Sequence, residues 1–331
     1  MGDKSGIEWT DATWNPVTGC TKVSAGCKHC YAERDWARLQ HLPRFAGRAF
    51  TDVVCHPERL DHPLRWKKPR RIFVNSMSDM FHDDVPDTFL DQVFAVMALC
   101  PLHTFQVLTK RARRMRDYMS DGGRAARVLD LVRNDELGYR AGGDNLPRQS
   151  WPFQNVLIGV SVEDQVTADE RTPLLLQTPA AVRWISAEPL LGPVNIQSAI
   201  NRMPWKIGGG DAGLHWVVVG GESGPKARPM HPDWVRSLRD QCAAAGVAFL
   251  FKQWGEWIPY EHDAQPPFLH SQHGDFFDGH GLPDFESGEG EMQREWHSDW
   301  SIQLISRRVG KKAAGRLLDD MKHDERPEVS R

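Results

Sequence analysis

Six runs of β-branched and aromatic residues punctuate this chain, and each ends abruptly in polar residues. They are "RIFVNSMSD" (71–79), "HTFQVLTKR" (103–111), "NVLIGVSVED" (155–164), "AVRWISAEP" (181–189), "HWVVVGGESG" (215–224) and "VAFLFKQWG" (247–255). Near-continuous apolar runs have no polar face, so they read as strands buried on both sides, as in parallel sheets. Helical patterns lie between several of them. Pro86 to Cys100 has apolar residues at helical spacing and an acidic first turn. His231 to Gly246 opens on Pro232 and stops at a glycine. Ser161 to Gln177 is a weaker helical stretch. A first strand is expected at Ile7 to Thr10 or at Asp52 to Cys55. Strand–helix alternation predicts an α/β fold with right-handed crossovers, best fitted by a partial TIM-like (β/α) barrel of parallel strands. A doubly wound sheet is the alternative, and periodicity does not separate the two.

The polar strand tips carry the functional expectation. Asn75, Ser76, Ser78 and Asp79 end one run, and Thr109, Lys110 and Arg111 end the next. Ser161 and Glu163, Ser186 and Glu188, Glu222 and Ser223, and Lys252 and Gln253 follow. In a parallel barrel these ends converge on one mouth, where active sites lie. Ser76, Ser78 and Asp79 are candidates to bind polar groups of a cofactor. Glu188, before the turn-forming Pro189, is a candidate to bind substrate or take a proton. Lys110 opens "KRARRMR", a candidate phosphate patch at a strand tip and helix start. Gly220 and Gly221 permit close backbone approach, and Glu222 can accept from an ammonium or a ribose. Lys252 and Trp254 mark the last tip, with Trp254 available to stack on a base or adenine. The plainer readings are a loop beginning at each tip, a salt bridge at Glu188 and a glycine turn at 220–224. "WKKPRR" (66–71) precedes a strand, so it belongs to the opposite end and reads as a solvated edge.

Composition bounds the class. The chain has 331 residues, 40% apolar and 26% charged, which is ordinary for a soluble globular protein. A formal charge of −3 offers no global basic field. No apolar run is long enough for a membrane span, and "MGDKSGIEWTDATW" lacks the core of an export signal. A cytoplasmic protein without a disulfide framework is therefore expected. Residues 1–257 read as the barrel domain. Residues 121–154, with paired glycines and mixed charge, read as an insertion or flap. Residues 258–331, rich in His, Pro, Gly and acids, read as an irregular C-terminal appendage.

"TGCTKVSAGCKHCYAER" (18–34) places Cys20, Cys27 and Cys30 as C-x6-C-x2-C. Cys100 and Cys242 stand in helix-like apolar surroundings and read as core residues. The first three admit several readings. A zinc site would need a fourth ligand from His29, Cys55 or His56. A redox C-x-x-C would use Cys27 and Cys30 and leave Cys20 idle. Three inert thiols fit poorly in so loop-like a segment. An iron–sulfur cluster normally takes four thiolates; three would leave one iron open to a substrate or cofactor.

"CKHCY" resembles the end of the radical S-adenosylmethionine (SAM) cluster loop, with a first gap of six residues where three is usual. A longer resemblance is carried by "WNPVTGCTKVSAGCKHCYAER", "IFVNSMSDMFH", "FQVLTKRARRM", "IGVSVED", "SAEPLLGPV", "VVVGGESGPKARPMHPDWVRSLRDQC" and "FKQWGEW". Together these resemble a phage-associated, three-cysteine, radical-SAM-like family from Ile7 to Trp257, with an echo at Arg308 to Asp319. The resemblance implies a partial barrel with one [4Fe–4S] cluster ligated by Cys20, Cys27 and Cys30. S-adenosyl-L-methionine would chelate the fourth iron, and an external electron donor would drive formation of a 5′-deoxyadenosyl radical. The GGE motif of such proteins helps hold the methionine amino group. The expectation is an iron–sulfur enzyme acting on a nucleotide or nucleic-acid base. A non-catalytic zinc- or cluster-binding module that recognises nucleic acid or a protein partner is the alternative.

Overall fold

The computed structural model describes residues 5–134, 150–200, 213–260 and 305–327. Seven parallel strands form the main sheet. They are β1 (Ala12–Trp14), β2 (Arg71–Val74), β3 (Thr104–Thr109), β4 (Val156–Val162), β5 (Val182–Ala187), β6 (Trp216–Gly220) and β7 (Ala248–Gln253). Their spatial order is their chain order. A doubly wound sheet reverses strand order at a switch point, so that alternative is excluded. Successive right-handed crossovers in one direction place the helices on one face, and the sheet curls into a half-barrel. The connections carry α1 (Tyr31–Leu39), α2 (Asp87–Leu99), α3 (Ala112–Ser120), α4 (Arg124–Asn134), α5 (Gln165–Gln177) and, before β7, α6 (Pro232–Ala245). Among the described residues no helix is long and apolar enough to cross a membrane.

The six runs became strands because both faces of each are buried. Outward residues such as Ile72, Val107, Ile158, Val160, Ile185, Val219 and Phe251 pack with the helices in the larger core. Inward residues Phe73, Leu157, Val182, Trp184, Trp216, Val218 and Leu250 form a second core with Trp9. Trp9 plugs this inner face, with its ring edgewise to Phe73, Trp184 and Trp216 at 4.9, 5.3 and 6.0 Å between centroids. That explains a correction at the N-terminus. The first strand is Ala12–Trp14, rather than Ile7–Thr10 or Asp52–Cys55, because Ile7 and Trp9 are spent filling the barrel. Val54–Cys55 instead pairs antiparallel with Val17–Thr18.

Sequence signals set several helix ends. Asp164 caps α5: its side chain accepts from Thr167 N (2.9 Å), and the Thr167 hydroxyl accepts from Asp164 N (3.1 Å). His231 caps α6 at Asp233 N, and Gly246 ends it in the left-handed region at φ 67°.

Two of the segments set apart in the sequence hold regular structure among the described residues. The start of the 121–154 segment is α4, fastened to α2 by Arg124, whose buried guanidinium meets Asp91 and Asp87 at 2.7 Å each. Residues 135–149 lie outside the described residues. The C-terminal appendage is, in its last part, a piece of the barrel. Trp257–Tyr260 pairs antiparallel with Ile305–Arg308, and the chain then returns along the free edge of β7. Phe251 N donates to His323 O (3.0 Å) and Glu325 N to Phe249 O (3.2 Å). The Trp216 indole donates to Glu325 O (3.0 Å) and Arg326 to Glu8 O (3.4 Å). Residues 261–304 lie outside the described residues.

Gly159 makes room for the Trp184 indole: a Cβ there would stand 2.4 Å from Nε1. Gly159→Ala should destabilise the protein by about 1–3 kcal/mol through overpacking. Gly122→Ala, where nothing lies within 4 Å, should be near neutral. Urea-denaturation midpoints of the two variants check this.

Candidate active site

Strand alternation decides what faces the mouth. Two residues beyond the indole floor, the inward positions turn small or polar: Gly159 gives way to Ser161, Trp184 to Ser186, Val218 to Gly220 and Leu250 to Lys252. Just beyond β4 stands Glu163, fully buried. A carboxylate without solvent stays charged only beside opposite charge and donors. Glu163 has Lys110 from the tip of β3 and Arg171 from α5, the latter at 3.1 Å. Its third partner is Ser24 Oγ, which donates to Oε1 at 2.9 Å. Gly26 presses on the same carboxylate so closely that a Cβ would fall 2.5 Å from its Cγ. The cysteine loop is therefore seated directly on the β4 tip.

Each cysteine of the loop has its own electrostatic setting. Arg111 Nη1 donates to Cys20 Sγ at 3.7 Å, and its other nitrogen donates to Thr21 O (3.1 Å) and Oγ1 (2.9 Å). Burial, then the Asp79 charge, pushes the Cys20 thiol up to about 11, with Arg111 opposing. Cys27 Sγ lies 3.8 Å from Ser24 Oγ, the same hydroxyl that donates to Glu163. Cys30 is the N-cap residue of α1 without a side-chain hydrogen bond to the helix; burial raises its pKa, and the nearby backbone N–H groups of Glu33 and Ala32 oppose the rise. Cys27 lies within electrostatic reach of both other thiols. Among the described residues no three His, Cys, Asp or Glu side chains are gathered closely enough to hold a single ion. Of the residues weighed as a fourth zinc ligand, His56 has both ring nitrogens engaged, with Thr18 Oγ1 (2.8 Å) and Glu58 Oε1 (3.0 Å).

The other predicted tips gather at this mouth, and most are already partnered. Asp79 accepts from Thr109 Oγ1 (2.7 Å), Phe81 N (3.0 Å), Lys110 N (3.0 Å) and Arg111 Nη1 (3.3 Å). Saturated in this way, it aims Arg111 at Cys20. Ser78 Oγ donates to Val17 O (2.9 Å) and Ser76 Oγ to Asn15 Oδ1 (3.1 Å), so both support the entry to the cysteine loop. Lys110 is committed to Glu163. Glu222 is gripped by Arg228 through Nη2 (2.6 Å) and Nε (2.8 Å), and Arg228 also reaches Ala25 O (3.1 Å) in the loop. Glu188 pairs with Lys252 Nζ at 2.7 and 2.9 Å and accepts from Gln253 at 3.2 Å. Gly220 lies against that carboxylate, where a Cβ would stand 3.1 Å from Cδ. Gly221 instead abuts the backbone of Trp254. Trp254 itself is buried against Phe251 and donates its indole N–H to Leu317 O (2.8 Å), so its ring serves the core and not the mouth.

Ser24, Tyr31, Arg171 and Arg228 are partners that the strand-tip rule alone does not find. Arg228 had a signal in "GGESGPKAR", an arginine in the same loop as the acid it binds. Arg171 had none, since it joins Glu163 only through the fold.

These features define a parallel half-barrel with a three-cysteine loop laid over its C-terminal mouth. Residues 4–327 match the family model described as "Protein of unknown function (DUF5131)", and the chain belongs to that family. No curated protein and no solved structure gave a match.

Removing one partner of a buried ion pair leaves an uncompensated charge. Glu163→Gln strands Lys110 and Arg171 together, so it should lower stability by about 3–5 kcal/mol. Denaturant unfolding monitored by tryptophan fluorescence checks the value.

Proposed function

We propose that this chain is an iron–sulfur enzyme of the radical S-adenosylmethionine type, with Cys20, Cys27 and Cys30 as the cluster ligands. The observation that carries this reading is the seating of three thiols at the barrel mouth: Arg111 donates to Cys20, Cys27 lies against Ser24 Oγ, and Cys30 sits at the start of α1 beside its first amides. Donors aimed at sulfur stabilise thiolates and tune a cluster's potential. Cys20, at about 11, keeps its proton at neutral pH unaided. A metal centre that displaces the proton gives the buried donors a reason to be there. Three thiolates fit a [4Fe–4S] cluster with one iron open, and their separate settings suit ligands to separate irons. When bound, the cluster with S-adenosyl-L-methionine would supply carbon–sulfur cleavage and a hydrogen-abstracting 5′-deoxyadenosyl radical.

The chain's own residues supply position and shielding. Asp79 fixes Arg111, and Arg111 holds Cys20 and Thr21. Glu163 and Arg228 fasten the loop at Ser24 and Ala25 on the opposite side. Glu188 is the acid best placed to exchange a proton. Its Oε1 takes both Lys252 and Gln253, and its Oε2 takes Lys252 alone, which leaves that oxygen the freer acceptor.

Anaerobically purified protein should be brown and hold about four irons per chain. Cys20→Ala, Cys27→Ala and Cys30→Ala should each lose that iron while keeping the fold by circular dichroism. Reductant with S-adenosyl-L-methionine should release 5′-deoxyadenosine. A colourless protein with one zinc would overturn this reading in favour of a non-catalytic module, and a loaded cluster that yields no 5′-deoxyadenosine would overturn the enzymatic half.

A further inference from the structure

The mouth's positive charge is unevenly neutralised. On the β3–β4 side, Lys110, Arg111 and Arg171 are committed to Glu163 and Asp79. On the β6 side, Lys28 in the cysteine loop and Lys226 after β6 are exposed, and among the described residues neither has a carboxylate partner. Both lie within electrostatic reach of the His29 ring, together with Arg228 and Glu222. Arg34 of α1 and Arg308 of the Ile305–Arg308 strand converge on the same loop. Arg34 donates to Ser223 O (3.4 Å) and Arg308 to Gly224 O (3.3 Å). A carbonyl positions a guanidinium without cancelling its charge. Glu33 and Glu222 are taken by Lys22 and Arg228, and Glu256 Oε1 accepts from Gly224 N (2.9 Å). A local surplus of this kind, in a chain of net charge −3, marks a site for a polyanion.

Beside the cations lies an aromatic surface. Tyr31 leaves 44% of its surface exposed. Its hydroxyl donates to Ser76 O at 2.6 Å, which fixes the ring from α1 across to the β2 tip. Glu188 is within electrostatic reach of it, so the ring stands over the mouth. A ring held at both ends and open on a face is a stacking platform.

We propose that this rim binds a single-stranded nucleic acid, with Lys28, Arg34, Lys226 and Arg308 on phosphates and Tyr31 stacked on the base presented to the mouth. This deepens the radical-enzyme reading and rests on it for the chemistry, though not for the binding. A single strand is the fitting form because a base inside a duplex cannot reach a recessed site without leaving its stack.

The test is fluorescence anisotropy with labelled single-stranded DNA and RNA dodecamers on the anaerobically purified protein, without reductant. Log K should fall against log salt with a slope of about −3, at about −0.7 for each of four contacts. Lys28→Glu and Lys226→Glu should each weaken binding about tenfold and flatten the slope. Tyr31→Leu should weaken it about tenfold with the slope kept and the iron content unchanged. Lys68→Glu, the same charge change at the opposite end of the barrel, should stay within about twofold. A preference for one dodecamer names the strand's sugar, and equal affinity supports the rim as a reader of phosphate and base alone. Salt-independent binding, no saturable binding, or a Lys68→Glu loss equal to that of Lys226→Glu overturns the proposal. Protein that carries no iron yet shows these dependences would sustain the rim and sink the radical reading. Protein that makes 5′-deoxyadenosine and binds no strand would do the reverse.

Discussion

The buried carboxylate of Glu163 is the constraint around which the mouth is organised. With no solvent to stabilise its charge, it must be met by protein groups. Those groups come from three places that are distant in sequence: Lys110 at the end of β3, Arg171 on α5 and Ser24 in the cysteine loop. Satisfying one charge therefore fixes a strand tip, a helix and a loop together. Asp79 does the same on the neighbouring side, gathering Thr109, Lys110 N and Arg111. The cysteines inherit their positions from these two acids, since Ser24 and Arg111 are the groups that reach Cys27 and Cys20.

Much of this was legible from local pattern. Six strands fell within the six apolar runs, since a strand buried on both faces needs apolar residues at nearly every position. The polar tips did gather at one end, as parallel topology requires. Other features escaped because they depend on pairing between remote residues. Trp9 read as part of a strand and is a plug, which only the curvature of the sheet reveals. Trp254 read as a stacking surface, and its fate was decided by Leu317, more than sixty residues later. Glu188 and Glu222 stood out in the sequence as strand-tip acids, with a salt bridge the plainer reading of Glu188, and the structure gives each a cation. Glu188 and its counter-charge Lys252 come from different units of the barrel, so no local window contains both, whereas Arg228 follows Glu222 in the same loop.

The barrel is also a study in how an incomplete cylinder is made water-tight. Seven strands leave the inner face exposed unless something fills it. Trp9 does so, and the stretch from His323 to Arg326 closes the edge of β7 beside it, where the Trp216 indole donates to Glu325 O. Arg326 donates to Glu8 O, so the two meet at the floor. At the other end the cysteine loop is seated on the β4 tip through Ser24 and Gly26.

The late return of the chain along β7 has a consequence for the protein's birth. As it leaves the ribosome, the last strand of the sheet emerges with one row of backbone amides and carbonyls unclaimed. The residues that claim them, His323 to Glu325, are made about seventy residues after β7. Until then β7 is an open, apolar template for any neighbouring strand. The nascent chain is thus at its most vulnerable after its barrel has been written and before its tail has arrived. Termination between β7 and His323 would yield a sheet with its sticky edge bared, and a chain bound for aggregates and proteases.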